Sequence, residues 1–181
     1  QIKRPGEYHG TIQYDPPSYL KFKNPQLKEI LSFVSLHKFE LDGRGAIKLP
    51  TELKGMKIEI GQSVYRIGIG GLHSSEKAQS LKPEKNQIMM ERDVTSYYPM
   101  IIINRELSPK HLDKLFLKIY NQMFEDRREA KQKGDKLVDA SLKLALNSSF
   151  GKLGSKYSFL YSPELMLNVT LRSGRRRLNS I

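Results

Sequence analysis

Apolar positions alternate over one part of the chain and recur at helical spacing over another, and the change falls near Pro109. Residues 1–24, with Pro5, Pro16, Pro17 and several charges, show neither period and read as extended or irregular chain. In PQLKEILSFVSL, residues 25–36, Leu27, Ile30, Leu31 and Val34 share one helical face behind Pro25, which predicts a short amphipathic helix. KFELDGRGAIKLP carries strand and turn signals. MKIEIGQSVYRIGIGG predicts a β-hairpin, with alternation over 56–60, a Gly61-Gln62 turn and a second strand at 64–69. HSSEKAQSLKPEKN is polar and loop-like, and the sheet is expected to resume over 88–95.

Beyond Pro109, Leu112, Leu115, Phe116, Ile119, Tyr120 and Met123 form one stripe of period 3.6, continued in polar form through EDRREAKQK. Gly134-Asp135 breaks the pattern, and KLVDASLKLALNSSFG resumes it until Gly151, a residue type suited to capping a helix C-terminus. Two helices so closely joined, 110–133 and 136–150, predict an antiparallel hairpin. The last thirty residues hold short apolar runs and the basic RSGRRR, without a single period. The expected fold class is therefore α+β: a small, largely antiparallel sheet beside an antiparallel two-helix hairpin. The chain divides into 1–54, 55–108, 109–151 and 152–181.

Composition adds limits. Apolar residues make up 38% of 181, enough for a modest core. No stretch approaches the roughly 18 apolar residues of a membrane span, and the N-terminal residues lack the apolar run of a signal peptide. The absence of an initiator Met suggests a piece of a longer chain. Cysteine is absent, which excludes disulfides, Cys-zinc sites and thiol catalysis and fits a reducing compartment. Lys plus Arg total 31 against 19 acidic residues, a net charge of +12, so a polyanion such as nucleic acid is the expected partner.

The candidate chemistry lies in ERDVTSYYPMIII, residues 91–103. A carboxylate inside an apolar run must be paired, hydrogen-bonded or bound to a cation. On a strand, Glu91, Asp93 and Thr95 share one face, and Asp93 either meets a basic side chain or ligates a hard cation such as Mg²⁺. On the hairpin, Arg127 and Lys131 project from one face of the first helix, as do Lys143 and Asn147 from the second. They form either a solvated basic surface or a cationic fork for a triphosphate. Gly68–Gly71 reads as a turn, since no Lys-Ser/Thr follows it. The four histidines lack metal-ligand spacing.

Two segments carry a resemblance. DVTSYYP (93–99) resembles the D-x-x-S-L-Y-P motif of family-B DNA polymerases, and KLALNSSFG (143–151) resembles their K-x-x-x-N-S-x-Y-G motif. YRIGIGGLHSSEK is similar to a segment of phage and prophage members, and the likeness spans roughly residues 55–170. The resemblance implies a partial palm at 55–108, a fingers hairpin at 109–151 and a return to the palm after it. It implies template-directed transfer of nucleotides from dNTPs to a primer 3′-OH on DNA, with two Mg²⁺ ions. Asp93 would be the catalytic residue and, with the Val94 carbonyl, a metal ligand. Ser96 and Tyr97 would offer backbone N–H groups to the triphosphate, and Tyr98 would exclude a 2′-hydroxyl. Arg127, Lys131 and Lys143 would contact phosphates, Asn147 the nascent base pair, and Phe150 and Gly151 the DNA. The expected location is the cytoplasm of a bacterial host.

The chain also departs from that family. No D-T-D motif is present, and after Lys152 the sole acidic residue is Glu164. Phe150 replaces the usual Tyr, and no D-x-E proofreading motif appears. The expectation is a polymerase fragment not competent alone, completed by the remainder of its chain. The alternatives are a non-catalytic DNA- or nucleotide-binding module and a basic subunit completed by a second chain.

Overall fold

The computed structural model describes residues 5, 8, 10–60, 63–68, 71–75, 77, 78, 80, 82–90 and 94–178. The element order is β1 (Ile12–Gln13), α1 (Pro25–Leu36), β2 (Lys38–Phe39), β3 (Lys57–Ile60), β4 (Ser63–Gly68), β5 (Gly71–Ser74), α2 (Tyr97–Asn104), α3 (Asp113–Lys133), α4 (Lys136–Lys152) and α5 (Pro163–Leu178). The architecture is α+β, with two small antiparallel sheets, β1-β2 and β3-β4-β5, and five helices among the described residues.

The N-terminal body is assembled from distant pieces. Its core joins Ile12, Tyr14, Leu20, Val34, Phe39, Ile47 and Leu53 with Leu167 of α5. α1 starts where Asn24 caps it, the Asn24 Oδ1 accepting from the Leu27 N–H at 3.2 Å with Pro25 following. Gln26 then reaches the edge of β3: its Nε2 donates to the Lys57 carbonyl and its Oε1 accepts from the Glu59 N–H. A side-chain amide thereby takes backbone groups that an edge strand would leave unpaired.

The helical body is α2, α3, α4 and part of α5 around Ile102, Phe116, Tyr120, Leu146, Phe150, Leu153, Leu165 and Val169. Tyr120 meets Leu146, and Arg127 meets Asp139, so numbers rise along α3 as they fall along α4: the pair is antiparallel. Its turn is two residues long. Gly134 takes φ 75°, its N–H donates to the Lys131 carbonyl, and the Asp135 N–H donates to the Ala130 carbonyl. These two bonds are a Schellman closure of α3. The Asp135 side chain then accepts from the Val138 N–H at 3.1 Å and opens α4.

α5 serves both bodies. Leu165 and Val169, four apart, enter the helical core, while Leu167, two residues from each, enters the N-terminal one. Gly154 lets the chain after α4 approach this helix, because a Cβ there would collide with the Met166 sulfur.

Several expectations need correction. Over 88–95, residues 88–90 and 94 form no strand, and Ile88, at 86% exposure, stands out in solvent with Met89 and Met90. A turn at 84–87, where Asn86 takes φ 79°, precedes this stretch. Residues 91–93 lie outside the described residues. The run after them is a helix, α2, with Pro99 in its first turn, where a missing N–H is tolerated. The third strand, β5, was expected as loop. α3 begins at Asp113, not at 110, and α4 runs through Gly151 to Lys152, so Gly151 is not its cap. The hairpin β3-β4 agrees with its expectation, with its turn at 61–62 outside the described residues. No described helix is long and apolar enough to cross a membrane.

Candidate functional site

Two contacts bring the motif segments together. The Tyr98 ring, in the first turn of α2, stacks on Phe150 of α4 with centroids 4.3 Å apart and planes 10° apart. Phe150 is buried, so its ring belongs to the packing under Tyr98. Tyr97 lies beside Tyr98 with centroids 5.9 Å apart. Face-to-face offset stacking of this kind contributes about 1 kcal/mol beyond area burial.

The second contact is polar. Ser96 precedes α2 with φ 51°, a left-handed conformation uncommon outside glycine, and its side chain makes no cap hydrogen bond to the helix. Its Oγ instead accepts from the Arg127 Nη1. The Arg127 Nε donates to the Asp139 Oδ1 at 2.8 Å. One guanidinium thus links the turn before α2 to both helices of the hairpin. A backbone held in a sparsely populated region persists only when its surroundings fix it, and Arg127 is part of that fixation.

Lys131 and Lys143 are exposed, and among the described residues neither forms an ion pair. The antiparallel register places Arg127 level with Asp139. Lys131 lies one turn toward the hairpin tip and Lys143 one turn toward its base, each roughly 6 Å away along the axis. The three cations thus form a row, not a point. Asn147 and Gly151 are exposed further toward the base of α4. Two other cations of α3 are engaged elsewhere, Arg128 with Glu125 and Lys133 with Glu129.

Asp93 lies outside the described residues, and Val94 is exposed beside it. Among the described residues no three His, Asp or Glu side chains converge as a metal-ligand group. Glu164, the carboxylate that follows α4 in sequence, is paired with Lys110 at 2.9 Å. Asp139 was not singled out by the sequence. Its signal was its position four residues before Lys143, on the same face of α4.

The hairpin differs on its other side. The stripe Leu112, Leu115, Phe116, Ile119, Tyr120 and Met123 lines an apolar groove of about 480 Å³ with Ser149, Phe159 and Leu160. Phe116 and Tyr120 are buried, but Leu115 and Ile119 are about half exposed. The Tyr120 hydroxyl donates to the Leu146 carbonyl at 3.0 Å, and burial pushes its pKa well above the usual phenol range.

Comparison with protein-family models, curated proteins and solved structures returns no match.

Proposed function

We propose that the chain is the nucleotide-holding part of a family-B-type DNA polymerase, a partial palm with its fingers hairpin. The observation that carries this reading is the meeting of the two motif segments. Tyr98 stacks on Phe150, and Arg127 bonds Ser96, although the sequence alone does not bring 93–99 and 143–151 together. The triphosphate of a dNTP would lie along the row of Arg127, Lys131 and Lys143, and primer–template DNA would follow the basic surface. Phosphoryl transfer asks for positioning and for positive charge at the departing phosphates, which these side chains supply. Asn147 and Gly151 face the same open end of α4 and would meet the base pair and the DNA. The cytoplasm of a bacterial host fits this reading.

Mg²⁺ enters through the resemblance alone. Asp93 and the Val94 carbonyl would hold it, and it would supply charge at the reacting phosphate.

One observation favours a non-catalytic reading of the chain by itself. Glu164 is tied to Lys110, so the segment after α4 presents no uncommitted carboxylate among its described residues. Binding without turnover is then the expected behaviour.

Titration of the purified chain with dTTP and Mg²⁺ tests the proposal. Lys143→Ala should weaken binding about tenfold, the effect of losing one charge-assisted hydrogen bond of roughly 1.5 kcal/mol. Equal affinity in both proteins would remove Lys143 from the site, and no binding by either would remove the function. Primer extension, with Asp93→Asn as the contamination control, separates the two readings. Extension lost in that variant would establish a catalytic chain.

A further inference from the structure

Of the three cations in the row, only Arg127 is engaged by an acid among the described residues. Its side chain is 13% exposed and that of Asp139 27%, so the pair is set well into the hairpin. We propose that Asp139 is a positioning residue that holds Arg127 in reserve, and that polyphosphate binds by exchange, drawing Arg127 from the Asp139 carboxylate onto phosphate oxygens. The proposal rests on the reading of this face as a polyphosphate site.

Guanidinium geometry makes the exchange necessary at the Nε edge. Arginine grips an oxyanion with two parallel N–H groups, through either the Nε/Nη2 edge or the Nη1/Nη2 edge. Asp139 engages Nε, which has a single N–H, and Ser96 engages Nη1, which has two. A two-bonded grip on phosphate through the Nε/Nη2 edge must therefore displace Asp139. Ser96 is neutral. Asp139 carries the same sign as the entering phosphate and is repelled by it, so Asp139 yields.

The neighbours decide which anions succeed. Lys131 and Lys143 flank the pair by one helical turn each and have no described ion-pair partner. An anion long enough to reach one of them gains a contact that offsets the lost Arg127–Asp139 bond. Orthophosphate offers fewer oxygens and a smaller span, so it gains less from these neighbours. The pair therefore acts as a filter that passes polyphosphates and resists single phosphates.

Inorganic tripolyphosphate and orthophosphate are the probes, titrated calorimetrically against the full chain. Asp139→Asn should bind tripolyphosphate about fivefold more tightly than wild type, the scale of one partly exposed ion pair removed from competition. In an Arg127→Ala background the same substitution should change affinity less than about twofold. Orthophosphate should gain proportionally more than tripolyphosphate. A gain cannot come from damage to the fold, and Asp139→Ser is the second variant should the amide disturb α4. Unchanged or weaker binding in Asp139→Asn overturns the exchange. So does an equal gain in both backgrounds, which would mean simple repulsion at a distance. If wild type binds tripolyphosphate and loses it in Lys143→Ala while Asp139→Asn changes nothing, only the exchange fails. If neither wild type nor Asp139→Asn binds tripolyphosphate, the site itself is refuted.

Discussion

The two bodies of this molecule are built by opposite means. In the helical body, neighbours in sequence do most of the work: a Schellman turn closes α3, Asp135 opens α4, and apolar residues three and four apart make the contact. In the N-terminal body the strands β1 and β2 have two residues each, and the core exists only when pieces from residue 12 to residue 167 have met. Within the candidate site, the Arg127–Asp139 pair and the flanking lysines belong to the first kind and depend on helix register, which places side chains more reproducibly than loops do, whereas Tyr98–Phe150 and Ser96–Arg127 join distant segments.

The sharpest way to break this contrast is at α5. Leu165→Ala and Leu167→Ala should each cost about 3 kcal/mol, the usual effect of removing a buried leucine. Amide exchange should separate them. Leu165→Ala should accelerate exchange in α3 and α4, and Leu167→Ala in β1 and β2. Equal acceleration everywhere from both would show a single cooperative unit instead of two.

Alkaline pH gives a second handle, through one phenol. Tyr14 lies in the N-terminal core, and burial pushes its pKa from 10.0 up to about 12, with Arg172 pulling it down in part. The folded protein therefore holds this proton more tightly than the unfolded chain. The stability tied to it is whole below pH 10 and is lost as pH rises through about 12. Thermal melts from pH 9 to 12 should show wild type losing ground to Tyr14→Phe over that interval. Parallel curves would mean that the hydroxyl keeps its ordinary titration.

The smallest effect concerns the hairpin turn. Asp135→Ala should cost about 1 kcal/mol, the value of a helix cap, and should loosen α4 without changing the exchange of β1 and β2. A change confined to β1 and β2 would break the assignment of separate bodies.

This contrast also explains what could be read from the sequence. α1 matches its predicted span, and the hairpin differs only at its ends, because caps, breaks and helical spacing are local signals. α5 was illegible for a physical reason. Leu165, Leu167 and Val169 alternate with less buried residues, a strand-like period, because the helix is covered by a core on either side. Over the described part of 88–95 the expected strand is absent, and alternation carries no sign of the turn at Asn86 or of the left-handed Ser96. Within the candidate site, the residue types were legible and their pairing was not. Nothing in the spacing of Phe150 indicates that its ring lies against Tyr98, and Asp139 carries no motif of its own.

The sharing of α5 has a consequence for the order of events at the ribosome. Ile12 and Tyr14 are made well before Leu167, the side chain that completes their core. The Tyr161 hydroxyl, which donates to the Gly45 carbonyl at 2.8 Å, is equally late. The α3–α4 hairpin can form from its own local contacts while this first segment waits, its apolar residues still in water. Long waits of this kind expose a nascent chain to aggregation. The body that comes first along these residues is therefore the one that folds last.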